Sequence, residues 1–129
     1  MAQQKGTRVM IVDDEVDFLE AMQYWLKIKG YDVETFSKSK LAIEAIKKNA
    51  PSILFLDIVM PEVDGIGVLR EVRKFNKDLS VIMITAHSTP QRIQDAEELG
   101  VVGYFMKSDD FKQAAELIQR ALQTMKRLE

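Results

Sequence analysis

Three aspartates, a threonine and a lysine stand where this sequence could do chemistry. Asp13 and Asp14 follow the apolar run Val9–Val12, and Asp57 follows Ile53–Leu56. Thr85 closes the run Val81–Ile84, and Lys107 follows one that ends at Met106. Carboxylates gathered at one mouth repel, and their pKa values rise unless a cation joins them. Oxygen ligands of this kind suit a hard divalent ion, Mg²⁺ or Mn²⁺. A hydroxyl donor and an ammonium beside such an ion are what a transferring phosphoryl group requires, because its catalysis is mostly positioning and charge neutralisation. Asp57 can then be the nucleophile, as carboxylates are in aspartyl-phosphate chemistry.

Each residue taken alone has a plainer reading. Asp13 and Asp14 could cap a helix, Lys107 could be a solvated loop lysine, and Thr85 could simply end a strand. Asp57 is a poor helix cap, because Pro61 and Gly65 separate it from the next helix and Asp64 is better placed. What lifts the functional reading is joint placement: every member lies at the carboxyl end of an apolar run. His87 is a lone loop histidine and reads as exposed and not a metal ligand.

The elements that must position these residues alternate strictly. Val9–Val12 reads as a buried strand, followed by a helix with Phe18, Leu19, Met22, Trp25 and Leu26 on one face and Gly30 as its stop. Asp32–Phe36 reads as a second strand. Ser37 is positioned to cap a helix that buries Leu41, Ala42, Ala45 and Ile46 and closes at Asn49 and Pro51. After the third strand, Ile53–Leu56, a loop containing Pro61 and Gly65 leads to a helix with Ile66, Val68, Leu69 and Val72, ending near Phe75. Val81–Ile84 is the fourth strand. Thr89–Pro90 is a helix start, and that helix is polar, with only Ile93, Ala96 and Leu99 to bury before Gly100. Val101–Met106 contains a fifth strand. Asp109 or Asp110 then caps a last helix with Phe111, Ala114, Leu117, Ile118, Ala121, Leu122 and Met125 inward.

Five βα units with buried strands predict a parallel sheet with helices on both faces and right-handed crossovers. The expected fold class is α/β with the flavodoxin-like strand order 2-1-3-4-5. In that order the first and third strands are neighbours, so Asp13, Asp14 and Asp57 converge at the topological switch point, where such sheets bind ligands.

The chain has 129 residues, 47% hydrophobic, with a net charge of −2 and no cysteine. That is one domain with room for a core, here residues 1–129 with flexible ends at 1–7 and 127–129. No basic excess points to nucleic acid, and disulfides and thiolate metal sites are excluded. No apolar run reaches membrane-spanning length and the first residues lack a signal-peptide core, so a cytoplasmic location is expected.

With these residues placed, the chain resembles the receiver (CheY-like) domain of two-component response regulators over nearly its whole length. The matching features are Val12-Asp13-Asp14-Glu15, Asp57 with Met60-Pro61 and Asp64-Gly65, Thr85-Ala86, and Lys107. The resemblance implies that Asp57 is the phosphoacceptor for a phosphohistidine. It implies that Asp14 ligates Mg²⁺ directly, that Asp13 does so directly or through water, and that the Val59 carbonyl completes the protein's share of the shell. Thr85 and Lys107 would each hold a phosphoryl oxygen, and small Ala86 would leave access. Tyr104 occupies the place of the switch aromatic, turning inward as Thr85 moves and remodelling the face of the fourth helix, fifth strand and fifth helix. The polar fourth helix suits a weakly anchored, movable element. Val59 offers no polar group to guide water, which points to slow hydrolysis of the acyl phosphate. The family usually carries a proline after the lysine, commonly with a cis peptide. Ser108 stands here, and a cis bond before a non-proline residue costs about 3 kcal/mol.

The implied partners are a sensor histidine kinase or phosphotransfer protein, and a downstream protein target or an output domain beyond these residues. A dimer through the fourth-helix, fifth-strand, fifth-helix face is a further expectation, and no membrane or direct nucleic-acid partner is. Two other readings compete. A haloacid-dehalogenase-like phosphatase also uses Asp, Thr, Lys and Mg²⁺, but needs Asp-x-Asp-x-Thr after the first strand, where this chain has Asp13-Asp14-Glu15-Val16-Asp17. An interaction module that is never phosphorylated would not need the intact acids, Thr85 and Lys107.

Overall fold

The computed structural model describes residues 6–60, 64–86 and 89–128, the last four by their backbone alone. The expectations for Pro61, His87, the Met125 side chain and the outermost chain ends fall outside these residues. The described residues form β1 (Arg8–Val12), α1 (Val16–Ile28), β2 (Asp32–Phe36), α2 (Ser39–Lys48), β3 (Ile53–Asp57), α3 (Gly65–Phe75), β4 (Ser80–Thr85), α4 (Pro90–Glu98), β5 (Gly103–Met106) and α5 (Phe111–Leu128). All strand pairings are parallel and the sheet order is β2-β1-β3-β4-β5, as the sequence predicts.

Successive strand residues point to opposite faces, which divides the core in two. Val9, Ile11, Ile53, Phe55, Ile82, Ile84 and Phe105 pack with α1 and α5, while Met10, Val12, Leu54, Leu56, Val81 and Met83 pack with α2, α3 and α4. Both faces are covered, so β3 and β4 are buried along their whole length, and their sequences read as continuous apolar runs. On the α1–α5 side, Phe105 meets Phe55 edge-on at 6.3 Å, and Phe18 lies 5.8 Å from Phe111. This aromatic group lies under Lys107.

Local signals account for five of the helix ends. The Asp64 side chain accepts from the Gly67 N–H at 3.0 Å, and Thr89 Oγ1 accepts from the Arg92 N–H at 3.2 Å. Each satisfies one orphan donor of the first turn. Asp110 accepts from the Lys112 N–H at 3.0 Å at the start of α5. Gly30 and Gly100, with φ of 98° and 78°, close α1 and α4 in the left-handed region. The α4 helix ends at Glu98, with Leu99 as its C-cap.

Two expectations for α2 are corrected. Ser37 does not cap it: the helix begins at Ser39, its N-cap is Lys38, and no side chain caps it. Leu41 is 53% exposed, while Ala42 and Ile46 face the core with Ile43 and Ala45 beside them. Ala42 and Ile46 centre the buried stripe, Ile43 and Ala45 flank it, and Leu41, about 100° round from Ala42 on the side away from Ile46, falls off it.

Arg73, which carries no local sequence signal, ties three segments together. From the last turn of α3 it donates from Nε to the Leu99 carbonyl at 2.7 Å and from Nη1 to Leu79 at 2.8 Å and Asn76 at 3.3 Å. Its Nη2 donates to Gly100 at 3.2 Å. The guanidinium thereby joins the end of α3, the entry to β4 and the turn after α4. The polar α4 buries only Ala96 fully, but it is held at both ends. Arg92 contacts Asp64 at 3.4 Å near its start, Tyr104 donates to the Ile93 carbonyl at 3.3 Å in its first turns, and Arg73 holds its end.

Candidate functional site

Strand register brings the candidates together. Val12 pairs with Leu56, so the next residues, Asp13 and Asp57, emerge side by side from adjacent strands. Thr85 pairs with Met106, and Lys107 follows, its N–H donating to the Thr85 carbonyl at 2.9 Å. The Lys107–Ser108 peptide is trans. Asp13 is fully buried, Asp57 and Thr85 are each 4% exposed, and Asp14 faces solvent. One carboxylate oxygen from each of Asp13, Asp14 and Asp57 lies within 4.8 Å of the others.

Backbone donors fix two of these carboxylates. Asp13 Oδ1 accepts from the Glu15 N–H at 2.9 Å, and Asp57 Oδ1 accepts from the Val59 N–H at 3.1 Å. The Lys107 ammonium donates to Asp13 Oδ1 at 3.2 Å and also lies 3.0 Å from Asp13 Oδ2 and 3.5 Å from Asp57 Oδ2. Asp13 Oδ2 is buried and accepts no hydrogen bond among the described residues; it faces only the charge of the ammonium. Thr85 Oγ1 is likewise buried without a partner among the described residues.

Burial, and next the charge of Asp13, push the Asp57 carboxyl up to about 7. Burial also raises Asp13, against the opposing pull of the Glu15 N–H and Lys107. Burial alone would lower Lys107. Hydrogen bonds to Glu15 and Asp13, with the charges of Asp13 and Asp57, outweigh that and hold its ammonium above the usual lysine range. The site therefore has more negative charge than its one ammonium comfortably balances. Raised, crowded carboxylates that share a single ammonium are a donor set suited to a divalent cation.

The loop after β3 is held close by Gly65. A Cβ on that residue would lie 2.0 Å from the Asp57 carbonyl oxygen and 2.8 Å from its carbon. The Gly65 N–H donates to the Ile58 carbonyl at 2.7 Å. Only glycine allows the start of α3 to approach the end of β3 this closely. Gly65 thus does more than interrupt a strand: it sets the distance between the loop and Asp57.

All five site residues predicted from sequence that carry side-chain chemistry lie at this one edge. Val59 is there too, its N–H on Asp57 and its side chain exposed. Tyr104 lies on β5, three residues before Lys107, half-buried, with its hydroxyl on α4; burial, then Glu97, raises its phenol. Sequence reasoning missed Glu15 as a partner. It forms a close ion pair with Lys107, and its position directly after the aspartate pair is the available signal.

Residues 9–122 match the model of the response regulator receiver domain. Transcriptional regulatory protein ZraR of Escherichia coli is 27% identical over 114 residues, which is 88% of this chain and 26% of that protein. The probable transcriptional regulator ycf27 of Pyropia yezoensis is 33% identical over 115 residues, 89% of this chain and 47% of that one. The chain thus spans less than half the length of these relatives. Among solved structures, the receiver domain of NtrX from Brucella abortus superposes with a TM-score of 0.83 at 30% identity, covering 90% of this chain and 98% of that one. A CheY-like receiver domain protein from Methanospirillum hungatei superposes with a TM-score of 0.91 at 23% identity, covering 95% and 98%. In fold, in sequence and in the order of its parts, this chain belongs to the receiver domains of two-component response regulators.

Proposed function

We propose that the chain accepts a phosphoryl group on Asp57 from the phosphohistidine of a sensor histidine kinase or phosphotransfer protein in the cytoplasm. The observation that carries this is the placement of Asp57. It is a buried carboxylate at the switch point, fixed by the Val59 N–H, beside two further aspartates and within 3.5 Å of a lysine ammonium. An Asp57 carboxylate oxygen forms the bond to phosphorus as the phosphorus–nitrogen bond breaks, and the imidazole leaves. Mg²⁺, or Mn²⁺, held by Asp13, Asp14, Asp57 and the Val59 carbonyl, would neutralise charge on the phosphoryl oxygens.

The chain's own groups do the rest. Lys107 supplies an ammonium in reach, and Thr85 supplies a hydroxyl with no bond to break among the described residues. The acyl phosphate carries up to about 2 negative charges where the ionised carboxylate carried one, so the site gains about one charge and three phosphoryl oxygens as acceptors. Thr85 moves toward these oxygens, and Tyr104 exchanges its bond to the Ile93 carbonyl for the space released. That loosens α4 in its first turns while Arg73 keeps the other end. The surface of α4, β5 and α5 is what a target, a second copy or an output domain would read. Membership of the receiver family removes the ground for the phosphatase reading.

Incubation with acetyl phosphate and Mg²⁺ followed by intact-mass measurement tests the reading. One phosphoryl adduct is expected, absent in Asp57→Asn. No adduct, under conditions that modify a control receiver, would leave the chain as an interaction module.

A further inference from the structure

One ammonium serves three carboxylates at this site, and the third has no assigned role. The Glu15 side chain is 62% exposed, and it ion-pairs with the Lys107 Nζ from the solvent side while Asp13 and Asp57 contact it from below. The Glu15 backbone is fixed at both ends. Its N–H donates to Asp13 Oδ1 at 2.9 Å, and its carbonyl accepts from the Leu19 N–H at 3.1 Å. Only the side chain can move. Phe18 completes the seat, its ring centroid 5.0 Å from the ammonium. The lysine side chain is only 14% exposed, so Glu15 and Phe18 set how far its charge stands from the aspartates.

We propose that Glu15 is a positioning residue for Lys107: its carboxylate seats the ammonium over Phe18 in the unmodified protein and competes for it with the phosphoryl group on Asp57. The proposal rests on the phosphoacceptor reading above. Its physics is a ranking of partners. An exposed ion pair is weak, whereas an acceptor with several anionic oxygens in a buried site binds an ammonium strongly. Glu15 is therefore the partner that Lys107 gives up first. Until then it draws the lysine outward, away from the oxygens that a divalent cation and a phosphoryl group need. Glu15 thus tunes how readily the modified state forms without touching the reacting atoms.

The test uses beryllofluoride with saturating Mg²⁺ as the phosphoryl mimic, its affinity read by calorimetry on the whole chain. Glu15→Gln is expected to bind the mimic about fivefold tighter than wild type, the scale of one exposed ion pair. In a Lys107→Met background the same substitution is expected to change affinity less than about twofold, because Glu15 acts through the lysine. The second readout needs neither mimic nor metal. The Lys107 ammonium ¹⁵N resonance of the unmodified protein is expected to move in Glu15→Gln, with thermal unfolding unchanged. An unmoved resonance, an unchanged affinity, or the same gain without Lys107 would overturn the proposal. Failure of wild type to bind the mimic would count against the phosphoacceptor reading, and the resonance alone would then decide whether Glu15 seats the lysine.

Discussion

At the carboxyl edge of the sheet Lys107 meets carboxylates, and at the amino edge Arg73 meets carbonyls. Both are partly desolvated cations that bridge several elements, yet they are satisfied differently. The Arg73 fork distributes its N–H groups over four carbonyls within 3.3 Å. Burial lowers its pKa, with Asp78 opposing, and no carboxylate lies within ion-pair distance among the described residues. Lys107 instead stands among acids that it cannot fully neutralise, one of them with a buried oxygen that accepts no hydrogen bond among the described residues. A planar guanidinium suits a fixed clamp on backbone, and a compact ammonium on a flexible stem suits a charge that changes partners. The difference teaches where this fold spends its stability: the amino edge is tied down, and the carboxyl edge is left electrostatically incomplete.

The contrast can be broken or sharpened in three ways. The largest effect is expected from Gly65→Ala. The added methyl meets backbone atoms that cannot move aside, so a loss of about 4 kcal/mol or outright misfolding is expected in urea unfolding. A variant within about 1 kcal/mol of wild type would show that the site's loop can back away.

Next is Arg73→Met. Four carbonyls lose their donors at once, so a loss on the order of 3 kcal/mol is expected. Phosphoryl uptake per folded molecule should stay at the wild-type level. Reduced uptake in the fully folded variant would mean that the two edges are not separable.

The smallest effect has the opposite sign. Asp57→Asn should stabilise the ion-free protein at a pH of about 7.5 by roughly 1–3 kcal/mol, because it removes a buried, repelled charge. The Asp57 folded-state pKa is raised to about 7 from an ordinary value of 3.8. The native state therefore holds its proton to higher pH than the unfolded chain does, and wild-type stability falls as pH climbs between those values. The advantage of Asn should be near zero at the acidic end of that window and largest above it. An advantage independent of pH, in thermal unfolding across that range, would remove the titration of Asp57 as its cause.

Much of the fold and site is legible in the sequence, for a local reason. Apolar runs bounded by helix caps and glycines declare strict βα alternation, and alternation constrains a parallel sheet to few arrangements. Asp13, Asp57, Thr85 and Lys107 can be placed because each adjoins such a run. What stays hidden depends on reach across the fold. Arg73 finds Leu99 and Gly100 26 and 27 positions away, and Lys107 finds Glu15 92 positions away. No periodicity encodes where a long side chain ends. The α2 start fails for a different reason: a serine can cap a helix, but the backbone turns one residue later than a Ser37 cap would place it.

Thr85 would introduce an asymmetry into the proposed switching step. A buried hydroxyl normally guards its place with a hydrogen bond, and rotating it means breaking one. Among the described residues no bond holds Oγ1. If Asp57 accepts a phosphoryl group as proposed, Thr85 Oγ1 would turn toward it without breaking a hydrogen bond among the described residues, and would give one up on turning back.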